Sequence, residues 1–296
     1  MLKCLPALSE FPQFALKGGT AINLFIFDLP RLSVDIDLVY LPEKGHEEGI
    51  KDISESLERL GEKIQKMVLG SKIQKTIPKN SKTVSKINVI HKDIEVTIEP
   101  NLVIRQALKK PKMLELVQSA QQIYETSVDV LVLDKNEIFA GKICAALDRQ
   151  HPRDFFDVKK MLEAKLLSDE LRKLFLAYLC GGNRPLHEVL YPTLLDQSAL
   201  FDSHFQGMAN QEADLKSLYK ARDELISWIH KTLTDDEKDF LISFVEMNPD
   251  FSKLGIAGAE KFPSILWKQM NLQKLKTTNP KKFELQSTEL KKKFQK

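Results

Sequence analysis

Along the chain the hydrophobic positions change period several times, and each change marks an element. Phe14 to Phe27 opens with a short apolar run, turns at Gly18-Gly19-Thr20 and continues as an apolar helical stretch. Pro30 ends that helix. Ser33 to Tyr40 then alternates polar and apolar residues, which predicts a half-buried strand with Ser33, Asp35 and Asp37 on one face. From Ile50 to Leu69 the residues Ile53, Leu57, Leu60, Ile64 and Val68 recur at helical spacing. A polar, lysine-containing stretch over 70–82 follows. Thr83–Val89 and Ile94–Ile98 then flank His91-Lys92-Asp93 as the strands of a hairpin. Val128–Leu133 predicts a further strand. Two helices are predicted over 135–148 and 154–164, separated by Pro152, the first entered through an Asp134 cap.

After Ser168 the period is helical throughout, to about Leu275, with breaks at Gly181-Gly182, Pro185, Pro192, Pro249 and Pro263. The pattern therefore predicts a mixed α/β part over 1–166 and an all-helical part over 167–296, the boundary drawn on composition alone. With 296 residues, 43% of them hydrophobic, the chain can bury one large core or two small ones, so disorder is excluded as its main state. A net charge of +3 argues neither for nor against a nucleic-acid or membrane partner. Its distribution is uneven. Lys261 to Lys296 holds ten lysines and two acids, leaving a net charge of about −5 on the residues before it. This lysine-rich tail reads either as a solvated terminus or as a contact for RNA phosphate. Cys4, Cys144 and Cys180 are far apart with no Cys-x-x-Cys pair, which fits a reducing compartment. Neither a membrane-length apolar run nor a secretory pattern is present, so the expectation is a cytoplasmic protein without a membrane partner.

The candidate chemistry lies in the first half. Carboxylates at i and i+2 of a strand leave the same face, so Asp35 and Asp37 place two negative charges side by side, which a divalent cation would neutralise in a cleft. A lone Asp-x-Asp is otherwise an exposed strand face. Gly18-Gly19-Thr20 at a helix start allows close backbone approach to an anion, while by itself it is a turn with a cap. A phosphate turn, a short helix and a strand with two acids would hold a triphosphate next to Mg²⁺. No Walker spacing, Gly-x-Gly-x-x-Gly fingerprint, paired histidine motif or Gly-x-Ser-x-Gly elbow competes with this layout. Arg31 and Ser33 read equally as support for the acids and as loop and strand edge. Asn23 reads as exposed helix surface, and Phe155 and Phe156 as core.

The blocks Leu16-Lys-Gly-Gly-Thr-Ala-Ile-Asn-Leu-Phe25 and Arg31-Leu-Ser-Val-Asp-Ile-Asp-Leu38 resemble the signature of the AbiEii/AbiGii toxin family of nucleotidyltransferases, to which the MenT toxins belong. Lys142-Ile-Cys-Ala-Ala-Leu-Asp-Arg149 and Arg153-Asp-Phe-Phe-Asp-Val158 are similar to that family's third and fourth motifs. The resemblance implies a polymerase-β-like nucleotidyltransferase core of the α/β (α+β) class followed by an all-helical part. It implies Mg²⁺ (or Mn²⁺) on Asp35 and Asp37 and an NTP substrate with its triphosphate at Gly18, Gly19 and Thr20, with Ser33 alongside. Glu95 is the candidate third metal acid, although Thr97 and Glu99 share its parity. Lys142 is assigned to the phosphates, Arg149 to the same helix face, Asp157 to orienting Lys142 or the nucleotide, and Asp154 partly to capping.

The activity implied is transfer of an NMP to a macromolecule, the 3′ end of tRNA or another RNA, by the toxin of a toxin–antitoxin or phage-defence pair with a cognate antitoxin. The alternative is a nucleotide- or RNA-binding protein that keeps the fold without catalysis. Family members have a longer helical lead-in than the residues before Gly18. A shortened start, with translation from an upstream position as one explanation, would leave apolar surface at Leu24 and Phe27 uncovered.

Overall fold

The computed structural model describes residues 1–210 and 213–295. The chain folds into two compact units, Met1–Ile138 and Phe139–Lys296. The limit between them falls within a helix, whereas the sequence boundary at 166 marks the end of strand-forming composition.

The first unit is built on a seven-stranded mixed sheet. Its strands are β1 (Phe14–Lys17), β2 (Ile36–Tyr40), β3 (Lys72–Thr76), β4 (Lys86–His91), β5 (Ile94–Pro100), β6 (Lys112–Glu115) and β7 (Asp129–Val132), in spatial order β3-β4-β5-β2-β1-β7-β6. The β1–β2 pair is antiparallel, whereas β2–β5 and β1–β7 are parallel. Helix α1 (Gly18–Ala21) continues through a π-type turn over Ile22–Ile26 and follows β1 directly. Helix α2 (His46–Met67) packs on β3 and β4 through Ile53, Leu57, Leu60 and Ile64, the apolar stripe expected from the sequence. The predicted β4–β5 hairpin forms, but its first strand starts at Lys86 and runs through His91, which pairs with Ile94 across a turn of Lys92 and Asp93.

Strands β3 and β6 are not legible as strands in the sequence, because edge positions need little apolar surface and instead carry lysine, which discourages pairing with another chain. Helix α3 (Gln118–Tyr124) likewise has no clear periodic signal. A 3₁₀ segment, Leu2–Glu10, packs on α2 and β7 and buries Cys4, Leu5, Ala7 and Leu8. Leu24 is buried and Phe27 half-buried, and Leu24 lines an apolar cleft of about 760 Å³ beside that segment.

β2 is shorter than its sequence pattern. The alternation begins at Ser33, yet the ladder begins at Ile36. Pairing with β1 reaches only to Lys17↔Asp37, because Gly18 then turns away with φ +70°, a left-handed conformation that glycine adopts without a Cβ penalty. Residues before Ile36 therefore lose their neighbour strand and form a loop.

Helix α4 (Lys135–Arg149) begins with Asp134 Oδ1 accepting from Asn136 N at 2.9 Å, the expected cap, and runs into the second unit. That unit is helical among its described residues: α5 (Pro152–Glu163), α6 (Asp169–Cys180), α7 (Leu186–Leu190), α8 (Ser198–His204), α9 (Leu215–Thr232), α10 (Asp235–Val245), α11 (Phe251–Leu254), α12 (Pro263–Thr278) and α13 (Pro280–Phe294). The mixed α/β part followed by an all-helical part is thus as expected. Side chains cap α6 at Ser168 and α10 at Thr234, where Glu237 closes a capping box and also accepts from buried Arg172 at 2.9 Å. Phe155 and Phe156 are core residues, as read from the sequence, joined there by Phe175, Phe240 and Phe244.

The lysine-rich tail is helix rather than frayed terminus. Lys291 bonds Glu246 at 2.6 Å, Lys292 bonds Glu289 at 2.8 Å, and Lys293 lies over the Tyr191 ring. Lys296 lies outside the described residues. Among the described residues no helix is long and apolar enough to cross a membrane.

Candidate active site

Two clusters gather the residues singled out above. The first surrounds the Gly18-Gly19-Thr20 turn. Gly18 has no room for a side chain, since a Cβ there would stand 2.2 Å from Asp37 Oδ2. The absence of that carbon lets the carboxylate of β2 close onto the turn. Gly19 is crowded on another side, where a Cβ would lie 2.9 Å from an Nη of Arg31 and 3.2 Å from Ser33 Oγ.

Thr20 is fully buried, and its hydroxyl points into the protein. It donates to the main-chain carbonyl of Asp35 and lies 2.9 Å from Ser33 Oγ. Arg31 is also buried and donates to its neighbour's carbonyl, Leu32 O, at 2.8 Å, so it belongs to the packed support of the turn. Asn23 differs from its sequence reading. It is buried, and its Nδ2 donates to Gly19 O at 2.8 Å, holding the first turn of α1 from within. A single polar residue on an apolar helix gives no periodic signal for such a role.

The two acids are not equivalent. Asp37 is half-buried within β2, while Asp35 is exposed on the loop just before it. Across the parallel pair Asp37 faces Glu99, and across the antiparallel pair it faces Lys17. Lys17, Asp37 and Glu99 therefore form a row on one face of the sheet. Glu95 lies four residues from Glu99 along β5, opposite Ile90, and accepts from Asn88 Nδ2 at 2.5 Å. The neighbour of Asp37 is Glu99. Parity alone does not choose between the two, because register is a property of the paired strands.

The second cluster lies within the second unit. Lys142 Nζ is 2.9 Å from Asp154 Oδ1 and 2.9 Å from Asp157 Oδ2, and all three side chains are buried. Arg149, seven residues along α4, adds a two-point contact to Asp154: Nε to Oδ2 at 2.6 Å and an Nη to Oδ1 at 2.9 Å. Burial acts to raise the Asp154 pKa, but Lys142 and Arg149 outweigh it and hold this carboxyl well below the usual carboxylate range. Asp154 does not cap α5. That position belongs to His151, whose Nδ1 accepts from Arg153 N at 3.1 Å, leaving both Asp154 oxygens to the cations. Burial and then the neighbouring Arg153 charge push the His151 pKa down. Cys144 and Cys180 take no part: burial raises both thiols and keeps them protonated.

Among the described residues no group of three or more His, Cys, Asp and Glu side chains is arranged to hold a metal ion. Mg²⁺ is commonly held by one or two carboxylates and completed by substrate phosphate and water, rather than by an all-protein cage. Asp37 against a glycine turn and the solvent-open Asp35 are a hard, oxygen-only donor pair of this kind.

A mixed sheet whose central strand carries an acid packed on a glycine turn, followed by an all-helical part, has the architecture of a nucleotidyltransferase. The chain belongs to the AbiEii family, described as nucleotidyl transferase AbiEii toxin of a type IV toxin–antitoxin system, whose model matches residues 1–265. Its general character is that of a nucleotidyltransferase toxin. In structure it is similar to MenT4, a nucleotidyltransferase toxin from Mycobacterium tuberculosis H37Rv, with TM-score 0.58 and 15% identity over 91% of this chain and 90% of that one. It is also similar to JHP933 from Helicobacter pylori, with TM-score 0.47 and 16% identity over 79% of this chain and 90% of that one. No curated protein matches it in sequence.

Proposed function

We propose that this protein is a Mg²⁺-dependent enzyme that transfers an NMP from an NTP to the 3′ end of an RNA acceptor, tRNA in particular, as the toxin of a pair with a cognate antitoxin. The observation that supports this reading is the closure of the Asp37 carboxylate onto Gly18: the oxygen would bind the metal, and the backbone N–H groups of a glycine turn at a helix start can receive phosphate. Asp35 and Asp37 would hold the ion, with Glu99 rather than Glu95 as the flanking acid. Bound Mg²⁺ would neutralise phosphate charge and activate the attacking hydroxyl.

The chain's own residues supply the remainder. Gly18 and Gly19 let the Asp37 carboxylate and the Arg31 and Ser33 side chains close onto the turn, whose backbone N–H groups would receive the phosphate. In the second unit Asp157 and Asp154 fix the orientation of Lys142 and Arg149, the cations that the family resemblance assigns to the nucleotide. A cytoplasmic location goes with this reading, since the RNA and NTP substrates are there.

The test is incubation of the full chain with total bacterial RNA, Mg²⁺ and each α-labelled NTP, beside Asp35→Ala and Asp37→Ala. Label in an RNA band that both variants abolish is the expected result. Label in protein would replace RNA by a polypeptide acceptor. NTP binding without transfer, unaffected by Asp35→Ala, would replace the enzyme by a binding protein of the same fold.

A further inference from the structure

On the reading above Asp35 binds metal, yet it stands ahead of the ladder that orders Asp37, on an exposed loop with pairing beginning only at Ile36. A metal acid must be held to a fraction of an ångström to be useful. The fully buried Thr20 supplies a tie. Its hydroxyl donates to the Asp35 carbonyl, lies 2.9 Å from Ser33 Oγ and has Met1 Sδ at 3.5 Å. A hydroxyl has one proton to give, and here it goes to the main chain of the acid loop rather than toward any phosphate. Arg31 reinforces the join from the loop side: it donates to Leu32 O at 2.8 Å and packs where Gly19 lacks a Cβ. The glycine turn and the loop 31–35 are thereby fastened together.

We propose that Thr20 is a positioning residue for Asp35, setting metal affinity through the acid loop, and not a ligand of the triphosphate. The proposal rests on the nucleotidyltransferase reading and changes the role that the sequence pattern suggests for this threonine. Removing the hydroxyl leaves the turn glycines and their N–H groups in place, so nucleotide affinity survives. What it loosens is Asp35.

The experiment compares wild type, Thr20→Val and Thr20→Ser as full chains. Two measurements are made: kcat and KM for labelled transfer, and Mn²⁺ affinity by calorimetry with α,β-methylene NTP, which cannot be turned over. Loss of one hydrogen bond predicts a fall in kcat of about tenfold for Thr20→Val, with KM for NTP within about twofold and Mn²⁺ bound roughly tenfold more weakly. Thr20→Ser restores all three. A raised KM with unchanged kcat and Mn²⁺ affinity would make Thr20 a nucleotide ligand and overturn the proposal.

Should the valine variant fail to fold, Thr20→Cys replaces it, as its thiol is a weak donor. Equal Mn²⁺ affinity in the cysteine and serine variants overturns the proposal as well. Wild type that binds Mn²⁺ and transfers label while Thr20→Val matches it defeats this inference alone. Wild type that does neither defeats the parent reading and the inference with it.

Discussion

Asp37 and Glu99 are Cα partners on adjacent parallel strands, so their side chains leave the sheet side by side on the same face. Two carboxylates in that relation repel unless a cation lies near them. If Glu99 serves the metal, Glu99→Gln keeps its size and one acceptor oxygen but removes the charge. Labelled NMP transfer is expected to fall roughly 10²-fold, the scale of losing one preorganised electrostatic contact. Glu95→Gln, whose partner is Asn88, is expected to remain within about twofold of wild type. Transfer by Glu99→Gln within about twofold of wild type would remove Glu99 from the site.

Lys142 sits between Asp154 and Asp157, and Asp154 also holds Arg149. Removing one partner of a buried pair strands the other charge, so Lys142→Met is expected to destabilise the protein by about 3–5 kcal/mol. Asp154→Asn acts in the same direction. The double variant removes both charges and should lose less than the sum of the two single changes. Urea titration of the four proteins measures this directly. Strict additivity would mean that the two side chains do not share an interaction.

His151 makes the helix that carries Asp154 and Asp157 sensitive to pH. Its Nδ1 must be unprotonated to accept from Arg153 N, and its pKa in the fold is depressed, by burial first and the Arg153 charge second. The unfolded histidine protonates near pH 6.5 while the folded one resists. The stabilisation is therefore complete above that value and declines as pH falls below it toward the folded pKa. A cap contributes about 1 kcal/mol, so Tm should drop by roughly 2–4 °C from this source between pH 7 and 5. His151→Asn retains a capping oxygen that does not titrate, and its Tm should fall less steeply over that range. Parallel melting curves for the two proteins at pH 5, 6, 7 and 8 would assign the dependence elsewhere.

Features carried by local periodicity are legible in the order of residues alone. The stripe Ile53, Leu57, Leu60 and Ile64, the hairpin around Lys92-Asp93, the helical second part and the core role of Phe155 and Phe156 all follow from spacing and burial preference. So do the candidate motifs, because turn glycines and alternating acids are written in consecutive residues.

The rest depends on which segments meet. Glu95 and Glu99 have the same parity, and only the β2–β5 register selects Glu99 as the neighbour of Asp37. The alternation from Ser33 promises one acidic strand face, but β1 ends where Gly18 turns, so Asp35 falls on a loop tied by Thr20. Asp154 precedes Asp157 in the motif and looks like a helix cap, while packing gives that place to His151 and turns Asp154 toward two cations. By itself the sequence determined the elements and the chemical groups they carry, because backbone propensity and hydrophobic period act over a few residues. Tertiary structure alone decided the neighbours of each group, because strand register and the burial of charge are settled between segments far apart in the chain.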